Sequence, residues 1–188
     1  SFLVCAFVYF AKIEDGKMIK SNINSSESKS PQPVRKTWDE YFLDIAEMVA
    51  SRSTCFRNKV GAVIVRDKVI VSTGYNGAPT NQPNCMEIGY CYRDRHQIKS
   101  GTQLERCRAV GSHAESNAVV LAARNGQATA GATIYVVGHK SICDQCKAII
   151  ANAKIERVVM RNLDRQIEII KPSVDWTVHP VDQQNRNS

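Results

Sequence analysis

Residues 113–160 read HAESNAVVLAARNGQATAGATIYVVGHKSICDQCKAIIANAKIERVVM. The first positions place alanine, valine and leucine at helical spacing, and Gly126 follows as a stop signal. Short β-branched runs at 133–137 and 155–160 predict buried strands, with a helix over 143–153 between them. Strands that alternate with helices in this way are typical of an α/β protein.

The upstream sequence continues this alternation. Apolar residues at helical spacing predict a helix over about 38–52, and the runs at 60–65 and 69–71 predict a hairpin. The stretch 75–111 has little periodicity, so we expect loops that are functional or held in place by other groups. A last strand is expected near 176–178. The order of elements predicts a three-layer α/β/α fold with a mixed central sheet of about five strands.

The length of 188 residues suits one domain, which we assign to residues 37–180. The Ser- and Pro-containing segment 1–36 is expected to be flexible, and 181–188 to fray. The apolar run 1–11 is too short to span a bilayer and lacks a basic region before it, so neither a membrane anchor nor a working export signal is expected. We expect either that the protein starts at Met18 or that the preceding residues are a fragment or artefact.

Charge and cysteine content narrow the function classes. Of the net charge of +7, residues 1–37 carry +3 and the remainder carries +4. The mild positive bias of the remainder is compatible with anionic small substrates and is weak evidence for nucleic-acid binding. The chain has seven cysteines, an odd number, and six of them cluster at 55–107 and 143–146. This pattern favours metal ligation in a reducing compartment over a secreted disulfide framework, and it predicts a cytoplasmic protein.

Two motifs open two of the predicted helices. His113-Ala-Glu115 begins one, and Cys143-Asp-Gln-Cys146 begins the next. The partial positive charge at a helix N-terminus favours thiolates. Two thiolates and one imidazole leave a fourth tetrahedral position on zinc, as in catalytic zinc sites. Glu115 is then placed to move a proton between water and a leaving group.

Each motif also has a simpler explanation. The sequence SHAE at 112–115 has the form of a capping box, in which Glu115 would only cap its helix. A single C-x-x-C could be a redox pair or half of a structural zinc site. The order of the two motifs and their places at two helix starts favour the catalytic interpretation.

With these motifs, the chain resembles the zinc-dependent cytidine/deoxycytidylate deaminase superfamily, and its deoxycytidylate (dCMP) branch in particular. The resemblance covers about 38–160, in the segments TWDEYFLDIAEMVASRSTC, KVGAVIV, STGYNGAP, CRAVGSHAESNAV, GATIYV and CDQCKAIIANA. The order H-x-E before C-x-x-C is the zinc deaminase signature. The GYNGAP segment and the Cys-containing insertion point to the dCMP branch.

The resemblance implies a cytidine-deaminase-like fold and the hydrolytic conversion of dCMP to dUMP and ammonia, which supplies dUMP for thymidylate synthesis. It implies that Glu115 shuttles the proton, and that Asn76 and Ala114 contact the substrate. It also implies that the catalytic zinc is bound by His113, Cys143 and Cys146.

Further properties are implied by the same resemblance. A homo-oligomer, commonly a hexamer, is expected, with control by dTTP and by dCTP together with Mg²⁺. Tyr75 then belongs to a possible effector site. A second, structural zinc is implied at Cys55 and Cys85, completed by residues of the insertion. The candidates to complete it are Cys107 with either Cys91 or His96.

The chain departs from the family pattern just before its first cysteine ligand. Ile142 stands where a proline is usual, and His139 lies in the segment before it. His139 could contact substrate, bind metal or be solvated, and we favour a role other than metal ligand. No phosphate-binding residue is singled out among the nearby basic residues, which are Arg52, Arg57, Lys59 and Arg108.

Two other functions compete with dCMP deamination. One is deamination of a related substrate, such as cytidine, a modified pyrimidine nucleotide or adenosine in tRNA. The other is a catalytically silent, zinc-binding regulatory subunit. The intact Glu115 argues against a silent subunit, because such a protein has no need of a proton shuttle.

Overall fold

A computed structural model describes residues 35–178 of the chain. The expectations for the flexible lead-in, the tail and a start at Met18 lie outside these residues. The strands are Gly61–Arg66 (β1), Val69–Tyr75 (β2), Thr133–Val137 (β3), Arg157–Arg161 (β4) and Ile167–Ile170 (β5). The α-helices are Trp38–Ala50 (α1), Cys85–Ile88 (α2), Tyr92–Arg95 (α3), Ala114–Arg124 (α4), Asp144–Asn152 (α5) and Pro172–Asp175 (α6).

The five strands form one mixed sheet in the order β2-β1-β3-β4-β5. β1 pairs antiparallel with β2 and with β3, and β5 pairs antiparallel with β4. β3 and β4 run parallel, because α5 returns the chain to the same end of the sheet. The predicted mixed sheet of about five strands is confirmed.

Helices cover both faces of the sheet, which confirms the three layers. Alternate residues of each central strand point to opposite faces. Ile64 and Ile134 pack with α4 and α5 in one apolar cluster, whereas Val63 and Tyr135 pack with α1 in another. Both faces of the sheet are therefore covered by apolar side chains, which leaves the loops at the strand ends available to form a site.

Two glycines let the helices approach the sheet closely. A Cβ atom on Gly61 would lie 2.1 Å from the carbonyl oxygen of Ala46 in α1. A Cβ atom on Gly74 would lie 2.2 Å from the carbonyl oxygen of Ala114, the first residue of α4. Since real Cβ atoms do not approach so closely, the start of α4 has its position only because residue 74 is glycine.

The last strand differs from the prediction. It spans Ile167–Ile170 rather than 176–178, and the short helix α6 follows it. The side chains of β5 are exposed or only partly buried, so no buried alternation marks it in the sequence. Its pairing with β4 defines it instead.

The long stretch after β2 consists mainly of loops, as predicted. It holds only α2, α3 and a 3-10 turn at Leu104–Arg106. Within residues 35–178, no helix combines the length and the apolar character needed to cross a membrane.

Candidate metal centre and active-site cavity

The two motif residues His113 and Cys143 each immediately precede a helix. They are the N-cap residues of α4 and α5, with extended backbone angles (φ −72°, ψ 158° and φ −71°, ψ 157°). An N-cap side chain commonly accepts a hydrogen bond from its own helix. Neither of these side chains does so, which leaves their nitrogen and sulfur atoms available for another partner.

The structure brings His113, Cys143 and Cys146 together. Nδ1 of His113 lies 3.4 Å from Sγ of Cys143 and 3.5 Å from Sγ of Cys146. The three ligand atoms all lie within 4.8 Å of one another. One imidazole and two thiols at this spacing fit zinc, which binds sulfur at about 2.3 Å and nitrogen at about 2.0 Å with tetrahedral angles. The protein supplies three ligands, so the fourth position is left for water or substrate.

The three groups also shift the proton equilibria of one another. Hydrogen bonding from Cys146, with a further contribution from His113, lowers the pKa of Cys143 to about 4. The neighbouring Cys143 raises the pKa of Cys146, and the same thiolate raises the pKa of His113. Of the two thiols, Cys143 therefore loses its proton more readily, and the thiolate is the form that binds metal.

Glu115 lies beside these ligands in the first turn of α4, and it is only 2% exposed. It does not belong to a capping box, because α4 is capped at His113 and not at Ser112. Its Oε1 atom instead lies 3.1 Å from Nε2 of His139. Burial raises the pKa of Glu115, but His139, together with the Glu115 backbone N–H and the nearby His113, outweighs burial and holds that pKa below its usual value. The carboxylate is thus ionised and able to accept a proton.

Hydrogen bonds from the first turn of α4 fix the loop that precedes it. Oγ of Ser116 donates to the carbonyl oxygens of Gly111 (3.0 Å) and His113 (2.9 Å). Nδ2 of Asn117 donates to the carbonyl oxygen of Tyr75 at the end of β2 (2.8 Å). The sequence SHAESN therefore holds its histidine against the sheet edge.

A cavity of about 560 Å³ opens onto the metal ligands and Glu115. The predicted substrate residues Asn76 and Ala114 both line it. The Asn76 side chain is occupied by backbone, since Oδ1 accepts from the Val60 amide (2.9 Å) and Nδ2 donates to the Asn58 carbonyl (2.9 Å). Asn76 therefore shapes the wall and keeps one N–H for a ligand.

Tyr75, predicted for an effector site, does not line this cavity. Its side chain is partly exposed at the end of β2, next to the buried Asn76. Tyr75 and Asn76 of the GYNG segment therefore face different surroundings. Asn76 faces the cavity, whereas Tyr75 faces outward.

The cavity wall is strongly cationic. Arg57, Arg93, Arg108 and Lys140 line it, against the single carboxylate of Glu115. Of the basic residues considered from the sequence, this set includes Arg57 and Arg108 but not Arg52 or Lys59.

Arg93 was missed by sequence analysis. It is 6% exposed, and its Nη2 donates to the carbonyl oxygens of Lys99 (2.9 Å) and Thr102 (2.6 Å). It forms no ion pair with a carboxylate within the described part of the chain. Arg93 therefore adds to the cavity wall a buried positive charge that no carboxylate of the described residues pairs with, and burying such a charge is costly. No local pattern in the sequence marks this residue, because its burial depends on how the loops fold.

The four cysteines proposed for a second zinc line the same cavity: Cys55, Cys85, Cys91 and Cys107. Burial, together with the three neighbouring thiols, raises the pKa of Cys85. No three of these sulfurs come within 4.8 Å of one another, in contrast to the first set. The alternative ligand His96 is exposed, packs against the Tyr92 ring at a tilted angle and does not line the cavity.

The chain was compared with known proteins. A family model for the cytidine and deoxycytidylate deaminase zinc-binding region matches residues 36–162. A deoxycytidylate deaminase of Mycobacterium phage D29 is 43% identical over 125 residues, which cover 66% of this chain and 94% of that protein. A deoxycytidylate deaminase of Schizosaccharomyces pombe is 32% identical over 143 residues, which cover 75% of this chain but 40% of that protein. The chain therefore spans less than half the length of the yeast relative.

A solved structure agrees with these sequence matches. The crystal structure of the dCMP deaminase of cyanophage S-TIM5 in complex with dCMP and dUMP is 27% identical, with a TM-score of 0.51. The match covers 69% of this chain and 85% of the phage chain. The match to the family model runs from α1 to β4 along the chain and includes all three residues of the metal centre. This chain therefore belongs to the cytidine and deoxycytidylate deaminase family.

Proposed function

We propose that this protein is a zinc-dependent dCMP deaminase, which hydrolyses dCMP to dUMP and ammonia and so supplies dUMP for thymidylate synthesis. The observation that carries the proposal is the set His113, Cys143 and Cys146 beside the buried Glu115 in one cavity. The deaminase relatives in phage D29 and yeast support it, as does the cyanophage enzyme described with dCMP and dUMP.

The residues of the chain divide the work of hydrolysis. His113, Cys143 and Cys146 would hold a zinc ion, which when bound would make water a stronger nucleophile toward C4 of the pyrimidine. Glu115 accepts one proton from that water and passes it to ring N3, and it then carries the remaining hydroxyl proton to the amino group, which leaves as ammonia. The burial of Glu115 keeps bulk water from competing for this proton. One water is consumed, and the C4 amino group is replaced by a carbonyl oxygen.

The cationic wall favours a nucleotide over a nucleoside. Arg57, Arg93 and Arg108 line the same cavity as Glu115, and arginine pairs well with phosphate oxygens. Each of these residues has a buried side-chain nitrogen without a hydrogen-bond partner, namely Nη1 of Arg57 and Nε of Arg93 and Arg108. Arg57 already pairs with Asp94, whose Oδ1 lies 2.6 Å from its Nε, so an anionic ligand in the cavity would compensate mainly the charge of Arg93 and Arg108. We therefore propose a 5′-monophosphate as the substrate.

The test is a steady-state assay of ammonia release from zinc-loaded protein. The substrates are dCMP, CMP, deoxycytidine and cytidine, each at several concentrations. We expect dCMP to have the highest kcat/KM and both nucleosides to be poor. Equal turnover of deoxycytidine and dCMP would contradict the monophosphate assignment, and turnover of none would contradict the deaminase assignment.

We propose in addition that the four cysteines around the cavity hold a second, structural zinc. This zinc would stabilise the long loop region 75–111, which has few apolar side chains of its own. The thiols line one wall, and binding would draw their sulfurs closer together than they lie now. Elemental analysis of fully loaded protein should give two zinc ions per chain, and one after Cys85→Ser. A single zinc in the unaltered protein would exclude this site.

Assembly and control are proposed from the family resemblance. We propose a homo-oligomer, with a hexamer favoured, and regulation by dTTP and by dCTP with Mg²⁺, with Tyr75 near the effector site. Six free cysteines in the described chain support a reducing, cytoplasmic location. Light scattering should give the mass of six chains. In the ammonia assay, dCTP with Mg²⁺ should raise the rate at low dCMP, and dTTP should lower it.

A further inference from the structure

His139 lies in the connection between β3 and α5, which turns back toward the metal centre at Gly138. Gly138 has φ +98°, and a Cβ atom there would lie 2.0 Å from the carbonyl oxygen of Lys59. Only glycine fits both the angle and the contact. The bend places the His139 side chain in the wall of the active-site cavity, where it is 18% exposed.

The two ring nitrogens of His139 face different partners. Nδ1 contacts the backbone carbonyl oxygen of Ser141, so this nitrogen is the donor that anchors the ring to its own loop. Because Nδ1 carries this proton, Nε2 attracts the Glu115 carboxylate only as part of the doubly protonated imidazolium. Burial lowers the pKa of His139, but the contacts with Glu115 and Ser141 outweigh burial and favour that form. Nε2 is buried and lies 3.1 Å from Oε1 of Glu115, an ion-pair contact that falls outside hydrogen-bond geometry, and it has no hydrogen-bond partner in the described chain. The ring thus links a fixed backbone group to the carboxylate.

The carboxylate of Glu115 has a strict geometric task. It must meet the attacking water first and the leaving amino group afterwards, and displacements of about 1 Å at such a step cost about 100-fold in rate. A carboxylate on a flexible side chain needs partners that hold it. The partner on the loop side is His139, which is not a member of the compact metal-ligand set.

We infer that His139 is a positioning residue, whose Nε2 holds Oε1 of Glu115 in the orientation that proton transfer requires. The inference rests on the proposed function, because it concerns the residue that moves the proton there. His139 takes no part in bond making, and its effect passes entirely through Glu115. This role differs from metal ligation and from substrate contact, the other roles considered for it.

The test uses two substitutions at position 139. His139→Leu fills similar volume and removes the donor, whereas the amide nitrogen of His139→Gln reaches about as far as Nε2 and keeps a donor. We expect His139→Leu to lower kcat for dCMP roughly 10- to 100-fold, with KM within about threefold of wild type. His139→Gln should restore most of kcat. Zinc content and melting temperature serve as controls in both variants.

Three results would overturn the inference. A raised KM with unchanged kcat would make His139 a substrate contact. A loss of bound zinc would make it a metal ligand. A Leu variant as active as wild type, or a Gln variant as poor as the Leu variant, would show that the donor has no positioning role.

A second measurement does not depend on turnover. Urea unfolding of zinc-loaded His139→Leu, Glu115→Ala and the double variant forms a thermodynamic cycle. If the two residues are coupled, the change in the free energy of unfolding in the double variant differs from the sum of the changes in the two single variants. Additive changes would show that His139 does not hold Glu115. If wild type deaminates none of the four substrates, the proposed function fails, while the cycle still decides whether His139 holds Glu115.

Discussion

Nδ1 of His113 lies 3.4 Å from Sγ of Cys143, although 30 residues separate them in the chain. Each residue precedes the first turn of its own helix, and the two helices pack on the same face of the sheet. The metal centre is thus set by how α4 and α5 begin. Changes that shift either start should damage the centre even when they lie far from it in sequence.

Gly74→Ala should shift the start of α4. The added methyl group would meet the carbonyl oxygen of Ala114 at 2.2 Å and the amide nitrogen of Ala118 at 2.4 Å. Overpacking of this kind costs about 1–3 kcal/mol of unfolding free energy. Because His113 caps the same helix, zinc affinity should fall as well. Urea unfolding and a competition titration with a zinc chelator measure the two effects.

Gly61→Ala is the matched control for this variant. Its methyl group would meet Ala46 and Ala50 of α1, on the opposite face of the sheet. It should lower the free energy of unfolding by a similar amount and leave zinc affinity unchanged. If both variants lost zinc equally, the special role of Gly74 would be refuted.

Asp39→Asn should make stability less dependent on acid pH. Asp39 joins α1 to the sheet, where Nη1 and Nη2 of Arg157 donate to its two oxygens at 2.8 and 2.7 Å. The Arg157 hydrogen bonds lower the pKa of Asp39 below 3.8, against burial, and Tyr135 assists. A carboxyl whose pKa is lowered by folding stabilises the protein above its unfolded pKa. That contribution disappears as pH falls through the folded pKa.

The variant should therefore be about 1–2 kcal/mol less stable than wild type near pH 7. The difference should shrink as the pH falls below about 4. Urea unfolding at a series of pH values measures it. A difference that stayed constant down to pH 2 would mean that this pair does not titrate in the way stated.

Zinc removal should abolish ammonia release without unfolding the protein. The two apolar clusters on the faces of the sheet are formed mainly by residues that bind no metal. Stability should still fall, because a ligand that binds only the folded state stabilises it. Far-UV circular dichroism, thermal melting and activity after zinc is restored measure these effects. A fully unfolded metal-free protein would contradict the prediction.

Arg108→Met should reduce the preference for a phosphate. Arg108 lines the cavity, and its Nη1 donates to the carbonyl oxygen of Pro83 at a long 3.3 Å. If it contacts the 5′-phosphate, the ratio of kcat/KM for dCMP to that for deoxycytidine should fall by about 10-fold or more. An equal loss on both substrates would indicate structural damage instead.

Strongly patterned elements were predictable from the sequence. The run AVIV of β1 is apolar and buried at every position, and the helix after His113 buries one face, so the local sequence pattern carries the information. The metal centre was predictable because its ligands fall at two helix starts. β5 was not, because its partly exposed isoleucines are defined by pairing with β4.

Features that depend on folded loops left no trace in the sequence. Arg93 is buried by carbonyl oxygens of the loop that follows it, and nothing in its neighbourhood predicts this. The contact between His139 and Glu115 was equally hidden, because it requires the bend at Gly138. Non-local packing decides both.

The most direct test of the central claim compares zinc-loaded wild type with Glu115→Gln, using dCMP as substrate. The formation of dUMP and of ammonia is followed in the same reaction, and zinc content is measured for both proteins. Wild type should release one ammonia for each dUMP. The variant should keep its zinc and lose about 10²- to 10⁴-fold in kcat. A zinc-loaded wild type that leaves dCMP unchanged, or a variant as active as wild type, would contradict the account.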